Sequence, residues 1–364
     1  MRLITADGPL PSLAGPESLA PHARPASVAT PRLPSRSPGG SPVKDDEPND
    51  DAPRRRDPVR VGLVQHRWRA DRDELEAVLD AAIAQAAQAG ATAVFLPELT
   101  LSRYPADVRG GPRASEIAED LATGPTFTFA SRAARAYELG VHASLYQRDE
   151  HGDGLGLNTA IFVDRHGELV GATHKLHIPV TAGYYENTYF RPGPARDAYP
   201  VYAPAELAGG VLGMPTCWDE WFPEVARLYS LAGAEVLAYP TAIGSEPDYP
   251  AFDTAPLWRQ VIVGNGITAG TFMIVPNRTG DEGSLSFYGS SFISDPYGRV
   301  LVEAPRDEEV VLVADLDLDQ RAHWLTLFPF LATRRPDTYD RLTAPVDASS
   351  PLGASPTARS PRSE

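Results

Sequence analysis

One glutamate, one lysine and one cysteine each come at the end of an apolar run. Glu98 follows AVFLP, Lys175 follows GELVGATH, and Cys217 follows VLGMPT. A thiol at the end of a strand and before a helix favours the thiolate, which is the nucleophilic form. A nearby glutamate could act as general base, and a lysine ammonium could stabilise an oxyanion. These residue types together suit acyl transfer through a covalent intermediate.

Each of these residues could also have an ordinary structural role. Cys217 could be a buried core residue, Glu98 a cap or surface carboxylate, and Lys175 an exposed lysine. His174 and His177 flank the lysine, but on a strand their side chains would not converge with a common partner, so no metal site is expected. The sequence contains neither a G-x-S-x-G motif nor a P-loop, which leaves acyl transfer by a thiol as the best-supported chemistry.

The elements around these residues alternate at first between strands and helices. Residues 72–89 and 126–139 have helical periodicity, and an apolar strand precedes each of them. Further helices are predicted over 223–232 and 255–269. Strands are predicted over the following ranges: 59–66, 91–98, 141–147, 158–164, 167–175, 209–217, 235–240, 271–277, 290–296, 298–304 and 308–317. Early α/β alternation followed by strand-rich hairpins predicts a layered α/β protein.

The chain divides into a core with a low-complexity segment at each end. Residues 1–57 contain 11 prolines among Ser, Ala, Gly and Arg, and they are predicted to be a disordered tail. Residues 346–364 are similar in composition and are predicted to be a second tail. One domain is expected over 58–345. A coding start nearer Val59 would also account for the first segment.

Composition excludes several classes of protein. The net charge is −15, and both terminal segments are neutral, so the whole excess of negative charge lies in the core. Such a surface disfavours nucleic acid and is compatible with a small cationic substrate. No run of apolar residues is long enough to cross a membrane, and the N-terminus lacks the pattern of a signal peptide. A single cysteine favours a reducing, cytoplasmic location.

Three motifs in this order resemble the nitrilase superfamily of carbon–nitrogen hydrolases. FLPEL, HKLHIP and TCWDEWFPE match the segments that carry the family's glutamate, lysine and cysteine, over about residues 58–345. The resemblance implies an αββα four-layer sandwich without metal or organic cofactor, in which Glu98, Lys175 and Cys217 are catalytic. It also implies a homo-oligomer with contacts near 223–232 and 255–269.

Further segments are similar to the N-carbamoylputrescine amidase branch. They are GYYENTYFRPG, YPTAIGSEP, NRTG, SFYGSSFI and RRPDTY. By position, Glu186 matches an additional active-site glutamate of carbamoyl hydrolases, which would hold the ureido amino group or assist proton transfer. The chain departs from the branch at Glu220, where glutamine is usual, and in TLSRYPAD, VGNGITA and the residues near Leu257 and Pro194.

The residues after the cysteine favour a cationic substrate. Asp219 and Glu220 stand where hydrolases of carboxylated ureido compounds place arginine, and Trp218 lies beside them. Acidic and aromatic side chains bind an ammonium by charge pairing and cation–π contact. In the alternative, Asp219 is structural and only Glu220 meets the substrate.

The resulting hypothesis is a thiol amidohydrolase that converts N-carbamoylputrescine to putrescine, ammonia and carbon dioxide. An ω-amidase or nitrilase-like hydrolase of another small amide or nitrile is the alternative within the same chemistry. The alternative from a different class is a member of the family that keeps the fold as a scaffold and has no catalytic activity.

Overall fold

Two β-sheets packed face to face form the centre of the molecule. The computed structural model describes residues 1–6, 56–111, 114–149 and 151–346. The helices are α1 Arg72–Gln88, α2 Pro125–Tyr137, α3 Pro223–Leu231, α4 Ala255–Ala269 and α5 Asp319–Leu327. The strands are β1 Arg2–Thr5, β2 Val59–Gln65, β3 Ala93–Phe95, β4 Gly140–Gln147, β5 Leu157–Val163, β6 Leu169–His174, β7 Val201–Tyr202, β8 Leu212–Gly213, β9 Val236–Ala238, β10 Phe272–Val275, β11 Thr279–Glu282, β12 Leu285–Tyr288, β13 Phe292–Ser294, β14 Val300–Glu303 and β15 Val310–Leu316.

Both large sheets mix parallel and antiparallel strands. One has seven strands in the order β1-β15-β2-β3-β4-β5-β6, and the other has six in the order β14-β13-β10-β9-β8-β7. The neighbours β2, β3 and β4 are parallel, and β6 runs in the same direction as β4 because both are antiparallel to β5. The residues that follow β3 and β6 therefore lie at the same edge of the first sheet.

The layers follow from which faces are apolar. Side chains of both sheets, among them Phe95, Phe162 and Ile274, fill the space between them. Helices α1 and α2 cover the outer face of the first sheet, and α3 and α4 cover that of the second. Burial of apolar surface on both faces of each sheet produces the αββα sandwich that the resemblance to the nitrilase superfamily implies.

Helix α1 shows how the sequence specifies one of these layers. Asp71 caps its N-terminus and accepts a hydrogen bond from Glu74 N at 3.0 Å. Leu75, Leu79 and Ile83 recur every four residues and are fully buried against the sheet. Capping and periodicity agree, which explains why this helix could be predicted almost to its ends.

All four predicted helices and most predicted strands are confirmed. The strand predicted over 209–217 is much shorter, because only Leu212–Gly213 pair within the sheet. Four strands and one helix were not predicted: β1, the short β7, the hairpin strands β11 and β12, and α5.

The prediction of a disordered tail over 1–57 is wrong at both ends of that segment. Arg2–Thr5 pair in parallel with Val310–Val313 of β15, and Ile4 packs against the core. Arg56 donates hydrogen bonds to both oxygens of Glu235 at 3.1 and 2.8 Å. The free edge of β15 accepts a strand of suitable alternation even where composition indicates disorder. Residues 7–55 and 347–364 lie outside the described residues, so the tail prediction is not tested there.

Membrane spans and metal-binding clusters are both missing from the part of the chain that the structure describes. Among the described residues, no helix is long and apolar enough to cross a membrane. Nor do the described ranges contain a cluster of His, Cys, Asp and Glu side chains suited to a metal ion.

Candidate active site

Cys217 begins a short 3-10 turn that follows β8. The turn spans Cys217–Trp221, and α3 starts at Pro223 as the sequence predicts. The Cys217 backbone has φ +43°, a left-handed conformation that few residues other than glycine adopt, and its N–H donates to Pro240 O at 3.1 Å. Its exposed fraction is only 6%. Strained backbone of this kind is concentrated at functional sites, where the surrounding structure maintains it.

Glu98 and Lys175 meet directly in the interior. Lys175 Nζ donates to Glu98 Oε1 at 2.9 Å, and both side chains are fully buried. Asn158 Nδ2 donates to the same Oε1 at 2.7 Å, whereas Oε2 has no hydrogen-bond partner among the described residues. One carboxylate oxygen is therefore fixed by two donors, and the other is available to receive a proton.

Glu186 completes a buried charge cluster around the lysine. Lys175 Nζ donates to both of its oxygens, at 2.8 and 2.7 Å, and Tyr104 Oη donates to Oε1 at 2.8 Å. Glu186 opens the 3-10 turn Glu186–Thr188 and is 1% exposed. One ammonium thus bridges two carboxylates, which pairs all three charges inside a buried site.

Burial and neighbouring charges alter the protonation of these groups. Burial raises the pKa of Glu186 to about 7 against the lowering effect of Lys175. The pKa of Lys175 is well above its ordinary value, because the charges on Glu186 and Glu98 outweigh its burial. Burial and then the charge of Glu98 raise the pKa of the Cys217 thiol well above its ordinary value. The thiol is thus neutral at rest, and it would act as a nucleophile only if a base took its proton.

Asp219 joins the lysine segment to the cysteine turn. Its Oδ1 accepts from His177 N at 2.9 Å and lies 2.7 Å from His177 Nδ1. Its Oδ2 accepts from Leu176 N at 3.3 Å and from Thr216 N at 3.1 Å. Both oxygens are engaged and buried, which favours the alternative in which Asp219 is structural.

Glu220 is directed away from solvent into the second sheet and α4. Its Oε1 accepts from Trp258 Nε1 at 2.5 Å and its Oε2 from Thr241 Oγ1 at 3.2 Å. Burial raises its pKa well above the ordinary value, which favours the neutral form of the carboxyl group. A neutral carboxyl group that is already hydrogen-bonded is a poor partner for an ammonium. Substrate contact by Asp219 and Glu220 stays a prediction, and these hydrogen bonds count against it.

Trp218 is the part of the predicted substrate site that reaches the surface. Its side chain is partly exposed, and its ring centroid lies 6.1 Å from that of Trp221. It comes directly after Cys217 in the 3-10 turn, where the first N–H groups lack partners within the helix. Both its ring and its backbone N–H therefore remain candidates for substrate contact.

Sequence reasoning missed the buried arginine that supports this site. Arg278 donates to Glu98 O at 3.0 Å and to Leu99 O at 2.6 Å, and its Nη1 donates to both oxygens of Glu282 at 2.7 and 2.8 Å. Glu282 also accepts from Tyr104 N at 2.9 Å. The segment NRTG was part of the resemblance, but only the fold shows that its arginine holds the carbonyl of Glu98 and, through Glu282, the amide of Tyr104.

The fold and this constellation define a class of protein: an αββα sandwich with a buried glutamate, lysine and cysteine. A family model described as carbon-nitrogen hydrolase matches residues 60–325. The chain is 32% identical over 292 residues to a citrullinase from Francisella tularensis, covering 78% of this chain and 98% of that enzyme. It is 37% identical over 211 residues to an N-carbamoylputrescine amidase from Solanum tuberosum, covering 56% of this chain and 68% of that enzyme.

Solved structures agree with the sequence comparison. A carbon-nitrogen hydrolase from Helicobacter pylori has a TM-score of 0.71 and 29% identity, over 79% of this chain and 99% of that one. The chain therefore belongs to the carbon-nitrogen hydrolase family and is an amidohydrolase of the nitrilase superfamily. This confirms the family and the fold that the three motifs predict.

Proposed function

We propose that this protein hydrolyses the ureido group of an N-carbamoyl amine, with N-carbamoylputrescine as the substrate. The observation that carries the proposal is the second glutamate. Glu186 shares the Lys175 ammonium with Glu98 and has a pKa of about 7. A ureido group presents N–H donors on both sides of its carbonyl, so a second carboxylate has a donor to accept from. Similarity to N-carbamoylputrescine amidases and to a citrullinase supports this choice over a simple amide.

The reaction begins at the thiol. Glu98 Oε2 takes the Cys217 proton as the sulfur attacks the ureido carbonyl carbon. Negative charge develops on the carbonyl oxygen, where the Lys175 ammonium and the backbone N–H of Trp218 would stabilise it. Donors of this kind are typically worth about 3–4 kcal/mol of transition-state free energy.

Two bond cleavages complete the cycle. Glu98 returns its proton to the terminal nitrogen, and ammonia leaves as the C–N bond breaks. Glu98 then takes a proton from water, which attacks the carbonyl of the thiocarbamate intermediate. The C–S bond breaks, Glu98 returns the proton to the sulfur, and the carbamic acid that is released decomposes to the amine and carbon dioxide.

Ammonia release from purified protein tests the proposal. We expect release from N-carbamoylputrescine in excess of that from N-carbamoyl-β-alanine and from glutaramate. Cys217→Ala should lower the rate by at least about 1,000-fold, because the covalent path is lost. Full activity in Cys217→Ala would contradict the mechanism, provided that thermal unfolding matches wild type.

The panel also separates the alternatives. Faster hydrolysis of glutaramate than of any ureido compound would favour an ω-amidase. Citrulline belongs in the panel because one relative is a citrullinase, and it carries the same ureido group with a different far end.

A further inference from the structure

A cationic substrate needs an ionised carboxylate with accessible oxygens, and the residues after the cysteine do not supply one. Asp219 binds three backbone amides and a histidine ring, and Glu220 binds Trp258 and Thr241. Both carboxyl groups are fully buried. Another group must bind an ammonium if the substrate carries one.

Tyr184 connects the reacting groups to a segment outside the motifs. Its ring packs edge-on against that of Tyr104 at 6.1 Å between centroids, and Tyr104 donates to Glu186. Its hydroxyl donates to Ser245 O at 3.1 Å and accepts from Gly244 N at 3.0 Å. The segment that follows β9 and contains Gly244 and Ser245 is therefore held against one wall of the site.

Glu246 is the next residue in that segment. Burial raises the pKa of the Tyr184 hydroxyl, and negative charge on Glu246 raises it further. The same hydroxyl contacts the backbone of the two residues before Glu246, so the wall that Tyr184 forms extends from the Tyr104 ring to Glu246.

The Glu246 carboxylate can accept more hydrogen bonds than it does. It is half-buried, and among the described residues its side chain accepts one hydrogen bond, from Thr254 Oγ1 at a long 3.4 Å. Within the described part of the chain, no lysine, arginine or histidine forms an ion pair with it. Burial raises the pKa of this carboxyl group, and a cation bound to it would favour the ionised form by replacing the lost interaction with water.

We propose that Glu246 binds the terminal ammonium of the substrate and so selects ω-ammonium N-carbamoyl amines over neutral and carboxylated ones. This inference rests on the proposed function, since it concerns the far end of the same ureido substrate. Tyr184 would form the wall along which the alkyl chain lies between the carbonyl carbon and the ammonium.

Three ureido substrates of matched chain length test the inference. N-Carbamoylputrescine ends in an ammonium, N-butylurea in a methyl group and 4-ureidobutyrate in a carboxylate. In Glu246→Gln we expect kcat/KM for N-carbamoylputrescine to fall roughly 10- to 100-fold, mainly through KM, as for loss of a charged hydrogen bond. N-Butylurea should change by less than about twofold, since it makes no such contact.

Two further variants separate a contact with the ammonium from a general effect of charge or of structure. Asp248→Asn removes the same charge two residues away at an exposed position, and the ratio of the substrates should stay at the wild-type value. Glu246→Lys should shift preference toward 4-ureidobutyrate, which a merely structural role would not produce.

The outcomes distinguish this inference from the function on which it rests. Equal loss for all three substrates in Glu246→Gln, or no change for any, would overturn the role of Glu246 while ureido hydrolysis stands. No ammonia from any of the three with wild-type protein would overturn the proposed function, and this inference with it.

Discussion

A single proton on Glu186 determines the charge of the whole cluster at neutral pH. The pKa of Lys175 lies well above its ordinary value, so its ammonium stays charged, whereas burial raises the pKa of Glu186 to about 7. The ionised form accepts from Lys175 and Tyr104, and in the proposed reaction it also accepts from the ureido nitrogen. The two protonation states should therefore differ in activity.

We expect kcat/KM to rise with pH through about 7, since the ionised Glu186 is the form that accepts hydrogen bonds. In Glu186→Gln this limb of the pH profile should disappear, together with most of the activity. A pH series of ammonia release at limiting substrate measures both. An unchanged limb in the variant would assign it to another group.

Tyr104→Phe gives a second test of the group that causes the rise of kcat/KM with pH, which is the limb of the pH profile described above. The Tyr104 hydroxyl donates to Glu186 and lowers its pKa, so its removal should move the limb to higher pH. Activity well above that limb should be largely retained. A shift to lower pH, or none at all, would contradict this account of the charge cluster.

At the scale of elements, the site depends on segments that are distant in sequence. Arg278 precedes β11 and donates to carbonyls near the end of β3, about 180 residues earlier. Its guanidinium is fully buried, as is the Glu282 carboxylate with which it pairs. Breaking such a pair leaves one charge buried without compensation.

Arg278→Met should therefore lower the free energy of unfolding by about 3–5 kcal/mol, because it leaves the Glu282 carboxylate buried without its cation. Urea denaturation measures this loss. Arg259→Met is the control, since Arg259 pairs with Glu303 in an exposed ion pair, where the expected change is below about 1 kcal/mol. Equal stability of the two variants would show that the buried network adds nothing.

The features that the sequence could predict are those whose pattern lies within one short segment of the chain. Helix α1 carries its cap and its period within one segment, and the ends of β3, β6 and β8 brought Glu98, Lys175 and Cys217 to one place. Helix α5 was missed because Gln320 is its one fully buried residue, so the helix has no buried apolar face that the sequence could reveal. Tyr104, Arg278 and Glu246 were missed because their partners lie in other elements, and no local pattern reveals a contact of that kind.

At the scale of the whole molecule, two buried histidines make the stability of the folded protein depend on pH. His66 and His142 are fully buried, and burial lowers their pKa values to about 4 and about 3. Among the described residues, neither ring nitrogen of His142 has a hydrogen-bond partner. The unfolded chain binds protons at these side chains below about pH 6.5 and the folded protein does not, so stability is lost as pH falls below that value.

His142→Leu should reduce this acid sensitivity. We expect the dependence of unfolding free energy on pH to lose about 1.4 kcal/mol per pH unit between about pH 6 and 4. His151→Leu, at an exposed position, should leave the slope unchanged. Urea denaturation at several pH values checks this, and identical slopes in all three proteins would contradict it.

The pairing of Arg2–Thr5 with β15 also affects the order in which the strands can assemble during synthesis. Ribosomes add roughly 5–20 residues per second, so the partner residues at 310–313 are made about 15–60 s after β1. Residues 2–5 therefore leave the ribosome well before the strand edge with which they pair. Once β15 has been made, its edge stays open until these residues pair with it, and in that period the same strand of a neighbouring copy can pair there instead.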